Sequence, residues 1–307
     1  MLRYVQIQTT SRCNADCVFC PYVESWHAQN AGVMSDGLWE KVLQDLEPFA
    51  EGLSKGMVAP YLMNEPLLDP KLGERISSIY AAFPNTMVQI ATNGAAMTPK
   101  RVDDLLERLE GHKHQIWVSF HATEPEHLQS IMRLDYDRAL RNVRYLLRQA
   151  DGQFRILIRG SGSPKHGDRT WFSAEDYRTF WEEQFSKHKL NTRKVHVDAF
   201  AFHDRAGGLR RPDRGANLLN AGAVRQIDSQ HPFDCPRLDQ WLHVLWDGRI
   251  RICCMDYHGE VGLPSLSEIT IGEYLRSPAY AQLCASVRGT GPTPNGFICT
   301  RCTSPGG

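Results

Sequence analysis

Hydrophobic and polar positions switch between two periods over the first two thirds of the chain. Short apolar runs rich in β-branched and aromatic residues fall at 4–8, 57–62, 87–91, 116–120, 154–158 and 195–200, and predict strands. Between them, apolar residues recur three and four apart at 36–49, 70–83, 100–110, 135–149 and 174–185, which predicts helices. Ser35 and Ser173 stand where N-caps belong, and Pro70 and Pro99 suit first helical turns. Strand and helix in strict alternation imply parallel βαβ units. Six such units fit a partial (β/α)6 TIM-like barrel, and the same alternation fits a doubly wound open sheet. In a parallel barrel, ligands gather at the C-terminal ends of the strands. The motifs below fall at those ends, which favours the barrel.

The pattern changes near residue 205. Residues 205–220 are rich in Gly, Arg and Pro and read as a linker. Beyond it, apolar runs at 241–246 and 249–253 flank Asp247 and Gly248, a strong hairpin signal. A helix is expected near 274–286. The expected division is therefore an α/β unit over 1–206 and a small α+β unit over 207–307.

Composition narrows the chemistry. The 35 basic residues balance the 35 acidic ones, so net charge gives no case for nucleic acid or an anionic membrane surface. No apolar run approaches the roughly 20 residues that span a bilayer. The N-terminus lacks the apolar core and cleavage site of a signal peptide. The chain reads as cytoplasmic. Nine cysteines in a cytosolic chain point to metal or redox chemistry instead of a disulfide framework.

The densest signal is Cys13, Cys17 and Cys20, spaced C-x3-C-x2-C directly after the first strand. Soft thiolates at this density select an iron–sulfur cluster or zinc. Structural zinc takes a fourth ligand, and none is adjacent. Three thiolates on a four-iron cluster leave one iron open to a cofactor. A second set follows with Cys235, Cys253 and the pair Cys299 and Cys302. These four could enclose a [4Fe–4S] cluster or a four-cysteine zinc.

On these residues the chain resembles the radical S-adenosylmethionine (SAM) superfamily over essentially its whole length. The resemblance implies that Cys13, Cys17 and Cys20 hold a [4Fe–4S] cluster whose open iron chelates SAM, and that reductive cleavage yields a 5′-deoxyadenosyl radical. Phe19 matches an aromatic near the adenine. Met63, Asn64, Glu65 and Pro66 stand where the family usually has Gly-Gly-Glu-Pro, with Glu65 expected on the cofactor ammonium and the two glycines missing. Asn93, within Thr92-Asn93-Gly94, Ser119 and Arg133 match further cofactor contacts; a guanidinium fork suits a carboxylate. Residues 203–207 resemble the turn that closes the sixth strand. The second set resembles the twitch form of the SPASM domain, which implies one auxiliary [4Fe–4S] cluster.

Two cysteines remain. Cys284 lies in a helical stretch and reads as core. Cys254 follows a cluster ligand directly, and two readings stand: a hydrogen-atom donor to a substrate radical, or a packing neighbour of the cluster. Within the family the chain is most similar to aminoglycoside-modifying enzymes, an epimerase of one sugar carbon above all. A dehydrogenase of an aminosugar or cyclitol alcohol and a peptide-modifying enzyme are the alternatives; an electron-transfer or binding protein would cleave no SAM. The first strand begins near residue 2, leaving no room for a leader-binding domain, which favours a small molecule. Glu24, Trp26, His27, Asp204, Asp234, Asp256 and Glu260 are the candidate substrate contacts, because carboxylates suit an aminosugar. Family habit implies a flavodoxin or ferredoxin as reductant.

Overall fold

The computed structural model describes residues 1–161, 172–200, 205–209 and 227–302. Among these residues eight strands form one sheet: β1 (Tyr4–Ile7), β2 (Met57–Ala59), β3 (Met87–Thr92), β4 (His114–Ser119), β5 (Ile156–Ser161), β6 (Val195–Phe200), β7 (Trp241–Val244) and β8 (Ile250–Arg251). The order is β6-β5-β4-β3-β2-β1-β7-β8. The first six strands are parallel and sequential, as a partial (β/α)6 barrel requires. The C-terminal hairpin joins this same sheet. β7 pairs parallel to β1, with Tyr4 opposite Trp241 and Gln6 opposite His243, and β8 returns antiparallel to β7.

The helices before β4 are α1 (Trp26–Gln29), α2 (Asp36–Leu46), α3 (Ala50–Ser54), α4 (Leu72–Ala82) and α5 (Pro99–Leu109). Then follow α6 (Pro125–Met132), α7 (Tyr136–Ala150), α8 (Ala174–His188), α9 (Pro236–Gln240), α10 (Ile271–Arg276) and α11 (Pro278–Arg288). Ser35 accepts from Leu38 N–H, and Ser173 forms a capping box with Asp176, as their positions imply. Three helices differ from expectation. The one expected over 36–49 ends at Leu46, because Pro48 forces a 3-10 turn. The one expected near 274–286 is two helices. Ser277, extended ahead of Pro278 (ψ 152), ends α10 and caps α11. Pro70 lies ahead of α4, which starts at Leu72.

Strand alternation explains where chemistry can sit. Val5, Ile7, Val58, Val88, Ile90, Ile116 and Ile158 are fully buried in the core shared with the helices. The opposite face is polar. It carries Gln6, Gln89, Gln115, Trp117, Ser119, Arg159 and Asp198, with Gln89 opposite Gln115 and Arg159 opposite both Ser119 and Asp198. This second face is the barrel lumen. Among the described residues no helix is long and apolar enough to cross a membrane.

Two features fix the loops above the lumen. Arg75 and Asp69 form an ion pair at 3.0 Å with both side chains almost fully buried, and Arg75 Nη2 donates to Met34 O at 2.6 Å. This pins α4 to the segment after β2. Gly94 turns the chain after β3 at φ 80, and a Cβ there would meet Val143 Cγ2 at 3.3 Å. Gly94→Ala is therefore expected to cost about 1–3 kcal/mol for left-handed backbone strain. Urea unfolding of the apoprotein should show a lower midpoint with an unchanged slope.

Candidate active site

Residues 8–20 leave β1 irregularly, and several of their backbone donors are taken up by other segments. Gln8 N–H donates to Val244 O (2.8 Å), Ser11 N–H to Gly32 O (2.9 Å), Asp16 N–H to Met132 O (3.1 Å) and Val18 N–H to Ile131 O (2.9 Å). Cys13 N–H donates to the Tyr22 hydroxyl at 3.0 Å. Ile131 and Met132 end α6, where carbonyls lack helical partners, so the helix end and the loop satisfy each other. The loop brings Cys13, Cys17 and Cys20 together, each partly buried. Burial pushes the Cys13 thiol up to about 12, and Glu65 and Cys20 add to that against the Ala15 N–H. Burial also raises Cys17 well above the ordinary range; Cys20 and Cys13 reinforce it and Arg205 opposes it. Three buried thiols that repel one another as thiolates fit a shared cationic centre.

Glu65 ends the segment after β2 and is buried, 2% exposed. Its carboxylate accepts from Asn93 N–H at 2.7 Å and Leu67 N–H at 3.2 Å. Burial raises it to about 7 against these donors and the Thr92 hydroxyl. Asn93 Nδ2 donates to Asn14 Oδ1 at 2.8 Å, which ties the turn after β3 to the cysteine loop. Phe19 is buried, edge-on to His121 at 4.8 Å. Ser119 is partly buried at the end of β4. Arg133 is left-handed (φ 54), half exposed, and ion-paired with Asp16 at 3.4 Å, so it sits on the cysteine loop itself.

The second set also converges. Cys235, Cys253, Cys299 and Cys302 line one cavity, walled otherwise mainly by apolar groups such as Phe233, Leu238, Ile252 and Ile298. Among the described residues no three His, Cys, Asp or Glu side chains are grouped as a single metal ion would require. Four cysteine thiols in one apolar cavity suit a soft, thiophilic centre such as an iron–sulfur cluster. Cys284 is buried in α11, as expected of a core residue. Cys254 is distinct. Of the nine cysteines it alone packs against both apolar clusters that flank the two sets: the C-terminal one holding Cys235, Cys253 and Cys302, and the one holding Tyr22, Leu62, Met63, Leu245 and Tyr257 beside Cys13 and Cys20.

The expected substrate contacts fare differently. Trp26 stacks on Trp246 (6.0 Å, 11°) and takes the Arg249 guanidinium on its face at 3.9 Å, so the hairpin turn engages its ring. Asp256 is fully buried and accepts from Glu260 N–H at 2.8 Å; burial raises its carboxyl against that bond and Arg251. Glu24 is partly buried in the turn after Cys20, and His27 is wholly buried, its imidazole held down to about 3 by burial and by Arg251, Arg249 and His258. Asp234 is exposed, and Glu260 pairs with Arg301. Asp204 and His203 lie outside the described residues.

The lumen itself offers groups that sequence reasoning passed over. Arg159 pairs with Asp198 at 3.1 Å and lies over Trp117 at 4.8 Å. Tyr61 donates to Gln89 Oε1 at 2.5 Å, and Cys254 and Arg159 both act on it electrostatically. His121 is buried two residues beyond β4; burial holds it down to about 3, with Arg205 and Arg159 adding to the effect. The signal for Arg159 and Asp198 was available: each is the one Asp, Glu, Lys or Arg within its strand.

Comparisons with known proteins agree with this geometry. The profile of the radical SAM superfamily matches residues 7–160, and that of the SPASM iron–sulfur cluster-binding domain matches 235–303. No curated protein sequence matches the chain. Solved structures share its fold. BtrN in complex with AdoMet and 2-DOIA is 16% identical at TM-score 0.60, covering 99% of this chain and 94% of its own. SuiB from Streptococcus suis, bound to S-adenosylmethionine, is 13% identical at TM-score 0.58, covering 93% and 68%. Native anSMEcpe with bound AdoMet is 15% identical at TM-score 0.56, covering 92% and 83%. With the first profile spanning just over half of its residues, the chain belongs to the radical SAM superfamily, carries a C-terminal SPASM iron–sulfur domain, and has S-adenosylmethionine and two [4Fe–4S] clusters as its cofactors.

Proposed function

We propose that this enzyme is an epimerase that inverts one sugar carbon of an aminoglycoside, a conversion of the neomycin C to neomycin B type, with Cys254 as hydrogen donor. The observation that carries the reading is the position of Cys254, packed between the two cysteine sets. Cys13, Cys17 and Cys20 would hold the first cluster, and Cys235, Cys253, Cys299 and Cys302 the auxiliary one. Bound there, the first cluster and SAM supply one-electron cleavage of a sulfonium and, through it, removal of a hydrogen atom from substrate carbon. Glu65 accepts from the cofactor ammonium, a cation that would offset the burial that raises its carboxyl. Asn93, Ser119, Arg133 and Phe19 orient the remaining cofactor groups.

Cys254 returns a hydrogen atom from the opposite face. Restoring its thiol takes one electron and one proton, with a flavodoxin- or ferredoxin-type reductant as electron source. One SAM is consumed per turnover. Asp198 and Tyr61 in the lumen suit the ammonium and hydroxyl groups of an aminosugar. The ligand follows BtrN, whose structure holds 2-DOIA and is matched over 94% of its length. The division of the chain into units at 1–206 and 207–307 belongs to the same reading. A second reading, oxidation of an aminosugar alcohol, draws on the four-cysteine cavity next to Cys254, a site for an electron acceptor.

Anaerobic reconstitution should load about eight iron atoms per chain, and about four when Cys13, Cys17 and Cys20, or instead Cys235, Cys299 and Cys302, are changed to Ala. Iron and sulfide assays read this directly. In deuterium oxide with SAM, reductant and neomycin C, the wild type should give an inverted product about one mass unit heavier, because the thiol proton exchanges with solvent. Cys254→Ala should still release 5′-deoxyadenosine and give no epimer. A product that has lost a pair of hydrogen atoms, formed equally by the variant, would make the enzyme a dehydrogenase.

A further inference from the structure

The Tyr257 side chain has no part in the reaction as described, yet its hydroxyl lies 3.5 Å from Cys20 Sγ. The residue is 7% exposed and its ring packs with Tyr22, Leu62, Met63 and Leu245. It belongs to the C-terminal SPASM segment, whereas Cys20 belongs to the loop after β1. The backbone that carries it is tightly turned. Asp256 N–H donates to Cys253 O at 3.2 Å and Tyr257 N–H to Met255 O at 2.9 Å. Tyr257 is thus held rigidly three positions beyond Cys254 and four beyond Cys253.

We infer that Tyr257 is a positioning residue for the first cluster, donating a hydrogen bond to the Cys20 sulfur and making that cluster's reduction potential depend on the docked C-terminal segment. The inference rests on Cys20 being a cluster ligand. A ligated thiolate has no proton to give, so the hydroxyl must be the donor. A donor to a ligand sulfur draws electron density from the cluster and raises its potential. The same turn carries Cys254, so the segment that bears the proposed donor thiol also bears the hydrogen bond to the cluster ligand.

The test uses reconstituted holoenzyme with Tyr257→Phe, which keeps the ring and removes only the hydroxyl. Redox titration followed by electron paramagnetic resonance, with the first cluster recognised by its response to SAM, should show a midpoint below that of wild type. The auxiliary midpoint and iron content should not change. Pulsed ENDOR of the reduced cluster in deuterium oxide should lose one exchangeable deuteron coupling. A fluorinated tyrosine at 257, a stronger donor of nearly the same shape, should raise the midpoint instead. Midpoints equal to wild type in both variants would overturn the inference. Loss of iron on changing Cys13, Cys17 and Cys20 tests the ligand reading separately, so failure of one is distinguishable from failure of the other.

Discussion

Three thiols must face one another within a loop of eight residues, and a backbone bent to do this meets few of its own hydrogen-bonding groups, Cys20 N–H to Cys17 O at 3.0 Å being one. The rest of the site follows from how residues 8–20 are held instead. Their donors go to β7, to the chain ahead of α2, to the end of α6 and to a tyrosine hydroxyl, and the Arg12 carbonyl accepts from Glu65 N–H at 2.9 Å. A buried polar group left without a partner costs about 1–3 kcal/mol. Each of these elements therefore constrains the thiols, and none can shift without leaving a donor or carbonyl unmet. The Arg133 ion pair with Asp16 and the Asn93 bond to Asn14 lie on the same loop. The residues expected to touch the cofactor are thus also fastened to the residues expected to hold the cluster.

The second constraint is the division of the sheet. One face gives its apolar side chains to the helices, so the other is free to carry Gln, Arg, Asp and Tyr. Parallel strands in a closed sandwich are apolar on both sides; these are not, because their inner face lines a lumen. The joining of β7 to β1 extends this lumen with residues from the C-terminal segment. It also brings the chain that bears Cys253 and Cys254 alongside the cysteine loop, since Gln8 N–H bonds Val244 just ahead of the hairpin.

The six strands, most of the helices and both cysteine sets were legible in the sequence because each is encoded locally, by period or by spacing. What escaped was long-range or set by one residue. The hairpin at Asp247 and Gly248 could be read, with Gly248 at φ 87, but its parallel pairing with β1 lies more than 230 positions away in sequence and leaves no local mark. Pro278 splits the last helix, a signal that was present and outweighed by periodicity. Trp26 looked like a ligand-binding aromatic, and only the fold shows Trp246 and Arg249 on its faces. His121 and Tyr257 carried no motif at all; they matter through neighbours that the chain's own order does not reveal.

The turn at Arg205 shows how the C-terminal segment serves the first cysteine set. Arg205 and Ala206 both adopt φ 55, and Gly207 follows at φ 72. A left-handed L-residue costs roughly 1–2 kcal/mol, so two in succession persist only where packing over-determines them. Here Ala206 is buried in the C-terminal core, Arg301 Nε donates to its carbonyl at 3.1 Å, and the His258 ring contacts Gly208 O at 2.8 Å. The result is a guanidinium set among Cys17, Cys20, Cys254 and Tyr257. Burial alone would oppose ionised thiols at this point, and Arg205 is the nearby group that acts the other way on Cys17. A strained turn anchored by the C-terminal segment thus places a positive charge beside the thiols of the cysteine loop. The cysteine loop and the C-terminal segment are linked electrostatically as well as through the shared sheet.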